Sequence, residues 1–199
     1  MRDVVIIDSG GANLASLQFA LERLGTSARV TADAHAVARA SHVILPGVGS
    51  ALDAMRRLSA AGLAEPLMRL EQPVLGICLG MQLFFSRSEE GPVQCLGILP
   101  DTVRRLAASP ACPVPHMGWN QLALRAEDPL LEGIRSQEYV YFVHSYAAAV
   151  SGATLASCCY GEEIAAVVRA GNFWGTQFHP ERSGSTGARI LANFLRLGS

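Results

Sequence analysis

Apolar blocks of strand length alternate with amphipathic stretches through the first 85 positions of the chain. Val4-Val5-Ile6-Ile7 is apolar throughout, and the turn Asp8-Ser9-Gly10-Gly11 follows it. Leu14, Leu17, Leu21 and Leu24 then recur at helical spacing until Gly25. The pattern predicts a strand over 27–31, a short helix capped by Asp33 and running through Ala40, and a strand at His42-Val43-Ile44-Leu45. Pro46-Gly47-Val48-Gly49-Ser50 ends that strand abruptly, and a helix over 50–58 and a segment over 63–70 lead to Pro73. Strands apolar on both faces must be covered on both, so the expected fold is α/β: an open, mostly parallel twisted sheet with helices on both faces.

Beyond Phe85 the character changes. Pro and Gly become frequent between 91 and 160, and short β-prone runs at 102–106, 121–124 and 139–143 predict antiparallel strands, added to the sheet or folded over its edge. Ser88-Glu89-Glu90 reads as a solvated helix end. Residues 164–169 and 172–177 read as a hairpin through Ala170-Gly171, and 183–197, with Ile190, Leu191, Phe194 and Leu195 on one side, as the closing helix.

Composition narrows the function. A chain of 199 residues, 50% hydrophobic, can bury one sizeable core and is most simply a single domain over 1–199. Net charge is −1 and no Lys/Arg run exceeds a pair, which argues against nucleic acid or an anionic membrane as partner. Met1-Arg2-Asp3 leads straight into a short strand, with no signal-peptide core and no run of membrane-spanning length, so a cytosolic protein is expected. The five cysteines are an odd number without C-x-x-C spacing, and Cys158-Cys159 would face opposite sides of a strand, which fits reduced thiols. No ligand-pair spacing joins the five histidines and no complete G-x-G-x-x-G occurs, so neither a metal nor a dinucleotide cofactor is expected.

The candidate chemistry gathers at one stretch. In Pro73-Val74-Leu75-Gly76-Ile77-Cys78-Leu79-Gly80-Met81-Gln82-Leu83-Phe84-Phe85 a strand-length run stops at Cys78 and a helix-forming run begins at Leu79. Gly76 and Gly80 make the pattern G-x-C-x-G, the cysteine form of a nucleophile elbow, in which strand and helix pass too close for side chains. A thiol on that turn faces the first amides of the helix, which favour thiolate and can stabilise an oxyanion. The plainer reading is a buried cysteine at a strand end. What shifts the balance is His179-Pro180-Glu181: proline pushes the preceding residue to extended geometry, and positions i and i+2 share a face, so Glu181 can hold the His179 ring. Nucleophile, base and orienting carboxylate make up the logic of a triad.

In such folds ligands collect at the carboxyl ends of strands, where Asp8-Ser9-Gly10, Pro46-Gly47-Val48-Gly49 and Cys78 all lie. Gly47 and Gly49 let the Val48 peptide turn an N–H toward an oxyanion, with Leu79 N–H as the second donor. Three clusters stay open between two readings. His116-Met117-Gly118-Trp119-Asn120 is a satisfied loop with a packed Trp, or an interface or gate. His144-Ser145-Tyr146 is an ordinary strand end, or polar groups offered to a substrate amino acid. Gln82, one helical turn past Cys78, is solvated, or a substrate contact.

Gly76-Ile77-Cys78-Leu79-Gly80-Met81-Gln82 together with His179-Pro180-Glu181 resembles the class I, triad-type glutamine amidotransferases, which have a flavodoxin-like sheet. Within them, Pro46-Gly47-Val48-Gly49, Pro115-His116-Met117-Gly118-Trp119-Asn120 and Tyr141-Phe142-Val143-His144-Ser145-Tyr146 resemble the glutaminase subunits of imidazole glycerol phosphate synthases of histidine biosynthesis. The likeness runs from Asp8 and Asn13 to the last helix. It implies glutamine hydrolysis through a thioester on Cys78, with His179 as base and then acid and Glu181 as its orienter, and no cofactor. Val48 and Leu79 would form the oxyanion hole, and Gly47, Gly49, Gln82, Ser145 and Tyr146 would contact substrate. Asn13, His116, Met117, Trp119, Asn120 and Arg182 would form the interface or gate toward a (β/α)8-barrel cyclase, the partner of a heterodimer, to which ammonia passes. Arg182 stands where Lys often follows H-P-E, and Ser9-Gly10-Gly11-Ala12 replaces a more usual aromatic and glycine pattern; both positions would face the partner. Two other readings are a γ-glutamyl or intracellular cysteine peptidase on the same sheet, and a catalytically silent docking subunit.

Overall fold

The computed structural model describes residues 3–8 and 14–198. Asn13 and the turn at 9–12 lie outside the described residues. In chain order, β1 (Val4–Ile7), α1 (Leu14–Arg23), β2 (Ala28–Thr31), α2 (Ala34–Arg39), β3 (His42–Gly47), α3 (Ala51–Ala60), α4 (Ala64–Met68), β4 (Val74–Cys78) and α5 (Leu79–Gln82) form an alternating half. The strands β5 (Phe85–Ser88), β6 (Val93–Gln94), β7 (Leu99–Arg105), β8 (His116–Gln121), β9 (Ala123–Leu124), β10 (Tyr139–His144), β11 (Tyr146–Ala147), β12 (Thr154–Tyr160), β13 (Glu162–Ala170) and β14 (Phe173–Thr176) follow, and α6 (Gly184–Arg196) closes the chain.

Eight strands make the central sheet in the order β2-β1-β3-β4-β14-β13-β12-β9. The run from β2 to β14 is parallel and the rest antiparallel, so the expected α/β architecture with added antiparallel strands is what the chain adopts. Alternation along each strand explains why both faces are covered. Val4, Ile6, Ile44, Leu75 and Ile77 pack with Leu17 and Leu21 of α1 and Ile190, Leu191 and Phe194 of α6. Val5, Ile7, Val43, Leu45 and Val74 pack on the other side with Val37, Ala54, Leu58 and Leu67 of α2, α3 and α4. Each such large side chain contributes roughly 1.5–3 kcal/mol by leaving water. Asp33 caps α2 by accepting from His35 N at 2.9 Å, and Ser50 caps α3 by accepting from Asp53 N at 3.2 Å. The hairpin through Ala170-Gly171 joins β13 to β14, with Gly171 at φ +59°.

Two smaller layers complete the fold: a sheet in the order β11-β7-β5-β6 and a ribbon of β8 and β10. Three expectations need correction here. The helix after Cys78 ends at Gln82, because the carbonyls of Leu83, Phe84 and Phe85 accept from the amides of Leu96, Leu99 and Gly97, which turns the chain into β5. Ser88-Glu89-Glu90 is no solvated helix end: Ser88 is buried, Glu89 accepts from Arg105 N, and Glu90 accepts from Ala51 N at the start of α3. His116-Met117-Gly118-Trp119-Asn120 is strand β8 and not a loop, paired with β10 so that His116 faces His144 and Trp119 faces Tyr141. Cys158 is buried and Cys159 exposed on β12, as alternation requires, and both are free thiols. Among the described residues no helix is long and apolar enough to cross a membrane.

Candidate active site

Cys78 ends β4 and opens α5 with φ 54° and ψ −110°, a backbone conformation that non-glycine residues rarely adopt and that costs of the order of 1–3 kcal/mol. The flanking glycines make the turn possible. A Cβ on Gly80 would lie 1.7 Å from the Leu45 carbonyl oxygen, and one on Gly76 2.7 Å from Met81 N. On β3, in register with Cys78, Gly47 leaves space for Leu79, whose Cβ would be 3.0 Å from a Gly47 Cβ. Bare backbone on three sides thus seats the first turn of α5 directly on the sheet and lifts the sulfur above its carboxyl edge.

His179 follows β14, which lies beside β4 in the same parallel run. Its Nδ1 donates to Glu181 Oε1 at 2.9 Å, and its side chain lines the same cleft as Cys78. Burial alone would lower the proton affinity of this ring. Interaction with the Cys78 sulfur and the Glu181 carboxylate outweighs burial and raises its pKa from 6.5 to about 10. Glu181 Oε2 is buried and has no hydrogen-bond partner among the described residues. Gln177 Nε2 donates to the Cys78 sulfur at 3.7 Å; the Val143 carbonyl, also 3.7 Å away, is the acceptor available to a protonated thiol.

These groups open into a cleft of about 320 Å³. Gly47, Val48 and Gly49 form one wall, with Gly49 at φ +88° turning the chain just past Val48. Leu79, at the first position of α5, sits at its base. Ser145 and Tyr146 also line it, as does Arg182, whose guanidinium is 4.7 Å from the centre of the Tyr141 ring. Gln82 also lines the cleft, but it is buried, not solvated: its Nε2 donates to the Tyr146 carbonyl at 2.7 Å and to Gln177 Oε1 at 2.9 Å.

The H-M-G-W-N segment divides by alternation. Met117 and Trp119 are 62% and 54% exposed, whereas His116 is 2% exposed and lies behind that face, stacked between Phe142 and Tyr160. The expectation of an interface position for His116 is corrected accordingly. Its Nδ1 lies 3.0 Å from His144 Nε2, and burial lowers the pKa of both rings to about 4. Asn120 reaches inward to the Cys159 carbonyl at 3.0 Å. The ribbon also grips the His179 segment: the Tyr141 carbonyl accepts from His179 N at 3.0 Å, and Tyr141 N donates to Ser183 Oγ at 2.9 Å.

Two polar residues of the site escaped sequence reasoning. Gln177 was within reach of it, since it stands two positions before His179 and shares its face. Glu90, whose carboxylate lines the cleft, arrives there through the turn after β5 and leaves no local trace. Among the described residues no group of three His, Cys, Asp or Glu side chains is placed to hold a metal ion.

Comparison with known proteins agrees with this geometry. The family model "Glutamine amidotransferase class-I" matches residues 5–197. The imidazole glycerol phosphate synthase subunit HisH of Xanthomonas campestris pv. campestris is 55% identical over 197 residues, covering 99% of this chain and 98% of its own. That of Xylella fastidiosa is 54% identical with the same coverage. Among solved structures, the crystal structure of a glutamine amidotransferase superposes with a TM-score of 0.74 at 21% identity, covering 96% of this chain and 96% of that one. The glutaminase domain of Trypanosoma brucei CTPS with bound acivicin does so with a TM-score of 0.67 at 12% identity, covering 98% and 94%. From elbow to closing helix, the chain belongs to the class I glutamine amidotransferases and, within them, to the family of the HisH subunits.

Proposed function

We propose that this chain is the glutaminase subunit of an imidazole glycerol phosphate synthase: it hydrolyses glutamine to glutamate and ammonia and passes the ammonia to a (β/α)8-barrel cyclase subunit. The observation that carries the reading is the meeting of Cys78, His179 and Glu181 in one cleft at the carboxyl edge of the sheet. His179, held by Glu181, takes the proton of the Cys78 thiol as base and then returns it as acid. The Cys78 thiolate attacks the side-chain amide carbon, and the oxyanion formed is met by the amides of Leu79 and Val48. His179 protonates the amide nitrogen, the C–N bond breaks and ammonia leaves, so that a γ-glutamyl thioester remains on Cys78. The now neutral ring takes a proton from water as hydroxide adds to the thioester. Collapse of that second tetrahedral species releases glutamate and regenerates the thiolate beside an imidazolium. Glu181 holds the ring in one orientation throughout.

Glu90 supplies a carboxylate for the substrate ammonium, and Ser145 and Tyr146 polar groups for its α-carboxylate. Gly47 and Gly49 permit the Val48 peptide to rotate into place, which keeps the glutaminase slow until partner and acceptor are bound. Ammonia free in neutral water is mostly protonated and not nucleophilic, so a covered route to the cyclase is required. Met117 and Trp119 on the outer side of the ribbon, with Arg182, are the docking residues. The test is Cys78→Ala in the complex: glutamine-dependent synthesis is lost while ammonia-dependent synthesis continues. Loss of both activities, or of neither, overturns the reading.

A further inference from the structure

A chain of hydrogen bonds joins the back of β8 to the sulfur of Cys78, and every link can be assigned a direction. The Tyr146 carbonyl can only accept, so His144, whose Nδ1 lies 2.8 Å from it, carries its proton there. A neutral His144 then accepts at Nε2, which forces the proton of His116 onto Nδ1, 3.0 Å away. His116 Nε2 in turn accepts from Asn120 Nδ2 at 3.4 Å. On the far side, the Tyr146 carbonyl takes its second hydrogen bond from Gln82, whose other N–H goes to Gln177 Oε1, and Gln177 donates to Cys78. Both amide hydrogens of Gln82 are thus committed, which orients Gln177 with its nitrogen toward the sulfur.

We propose that His116, which lines no part of the cleft, is a positioning residue for the glutaminase: its Nδ1–H selects the His144 tautomer that holds the Tyr146 carbonyl, and through Gln82 and Gln177 it sets the donor facing Cys78. Reversal at any one ring would set two lone pairs or two hydrogens against each other, at greatest cost across the buried His116–His144 contact. The inner position of His116 and Asn120 on a strand whose other face carries Met117 and Trp119 places the start of the chain directly beneath the proposed docking surface.

The inference rests on the function proposed above, and the experiment separates the two. His116→Phe keeps a ring between Phe142 and Tyr160 but removes the donor; His116→Asn keeps an N–H near the position of Nδ1. In the complex with cyclase, His116→Phe lowers kcat for glutamine hydrolysis about tenfold with little change in KM, and His116→Asn recovers it to within about threefold of the parent. Co-purification with the cyclase and the melting temperature of the isolated chain, measured alongside, report that each variant folds and docks. Nitrogen NMR of the unmodified protein shows His144 protonated at Nδ1 alone. A His144 ring protonated at Nε2, an unaltered kcat in His116→Phe, or a His116→Asn variant as slow as His116→Phe overturns the inference. Retention of glutamine-dependent synthesis by Cys78→Ala would instead overturn the function beneath it.

Discussion

His179 is driven to hold a proton, while His144, which feels its charge, and His116 behind it are driven to shed theirs. The cause is the company each ring keeps: Glu181 and Cys78 for the first, apolar and aromatic packing with no carboxylate for the other two. The buried pair makes stability depend on acid. Unfolded imidazoles bind protons below about 6.5, whereas His116 and His144 in the fold do so only near 4, so between these values the unfolded state holds more protons and stability falls as pH falls. The groups they face are each other, Tyr160 and His179. Urea midpoints of the isolated chain should show a loss of about 2 kcal/mol from pH 6 to pH 5, and His116→Asn should remove about half of it. At this scale the sequence exposed what has a local cause. Cys78 is marked by the spacing of its glycines, and Glu181 by standing two places after His179. The partnership of His116 with His144 has no such mark, because the two lie 28 positions apart and only a strand pairing brings the rings together.

Among the elements, α5 shows most clearly how backbone contact replaces side-chain packing. A Cβ on Gly80 has nowhere to go, since it meets the backbone carbonyl of Leu45 on β3. Gly80→Ala should therefore cost about 3 kcal/mol or more and displace the elbow, abolishing labelling of Cys78 by a glutamine-analogue electrophile. Gly62, which ends α3 at φ +66° with open space around it, is the contrast: Gly62→Ala should cost only about 1 kcal/mol, from backbone conformation, and leave labelling intact. Denaturant midpoints for the two variants separate close approach from conformational freedom. The alternating half of the chain was legible because β1, β3 and β4 are apolar on both faces and the helices between them on one. The length of α5 was not, since residues 83–85 suit a helix by propensity, and what diverts them is pairing with a segment more than ten positions further on.

For the whole molecule, the division into three sheets was the part the pattern of side chains could not decide. β5 and β9 are too short to carry a pattern and β12 is buried along most of its length, so nothing in their own residues says which sheet each will join. The outer face of the assembled ribbon is easier to interpret. Met117, Trp119 and Tyr139 are exposed together there, and an aromatic side chain of this kind is a common anchor of a docking surface. Trp119→Ala should weaken binding to the cyclase by about 2 kcal/mol, roughly thirty-fold in Kd by titration calorimetry. Because the side chain stands in solvent, the melting temperature of the isolated chain should barely move.

The ribbon shares no ladder with the central sheet, yet Tyr141 on its free edge is bonded to the backbone of His179. In mechanical terms it is a lever whose load arm ends at the imidazole and whose fulcrum is Tyr141. A load on its outer side has a backbone path to His179 that does not pass through the ladders of the eight-stranded sheet.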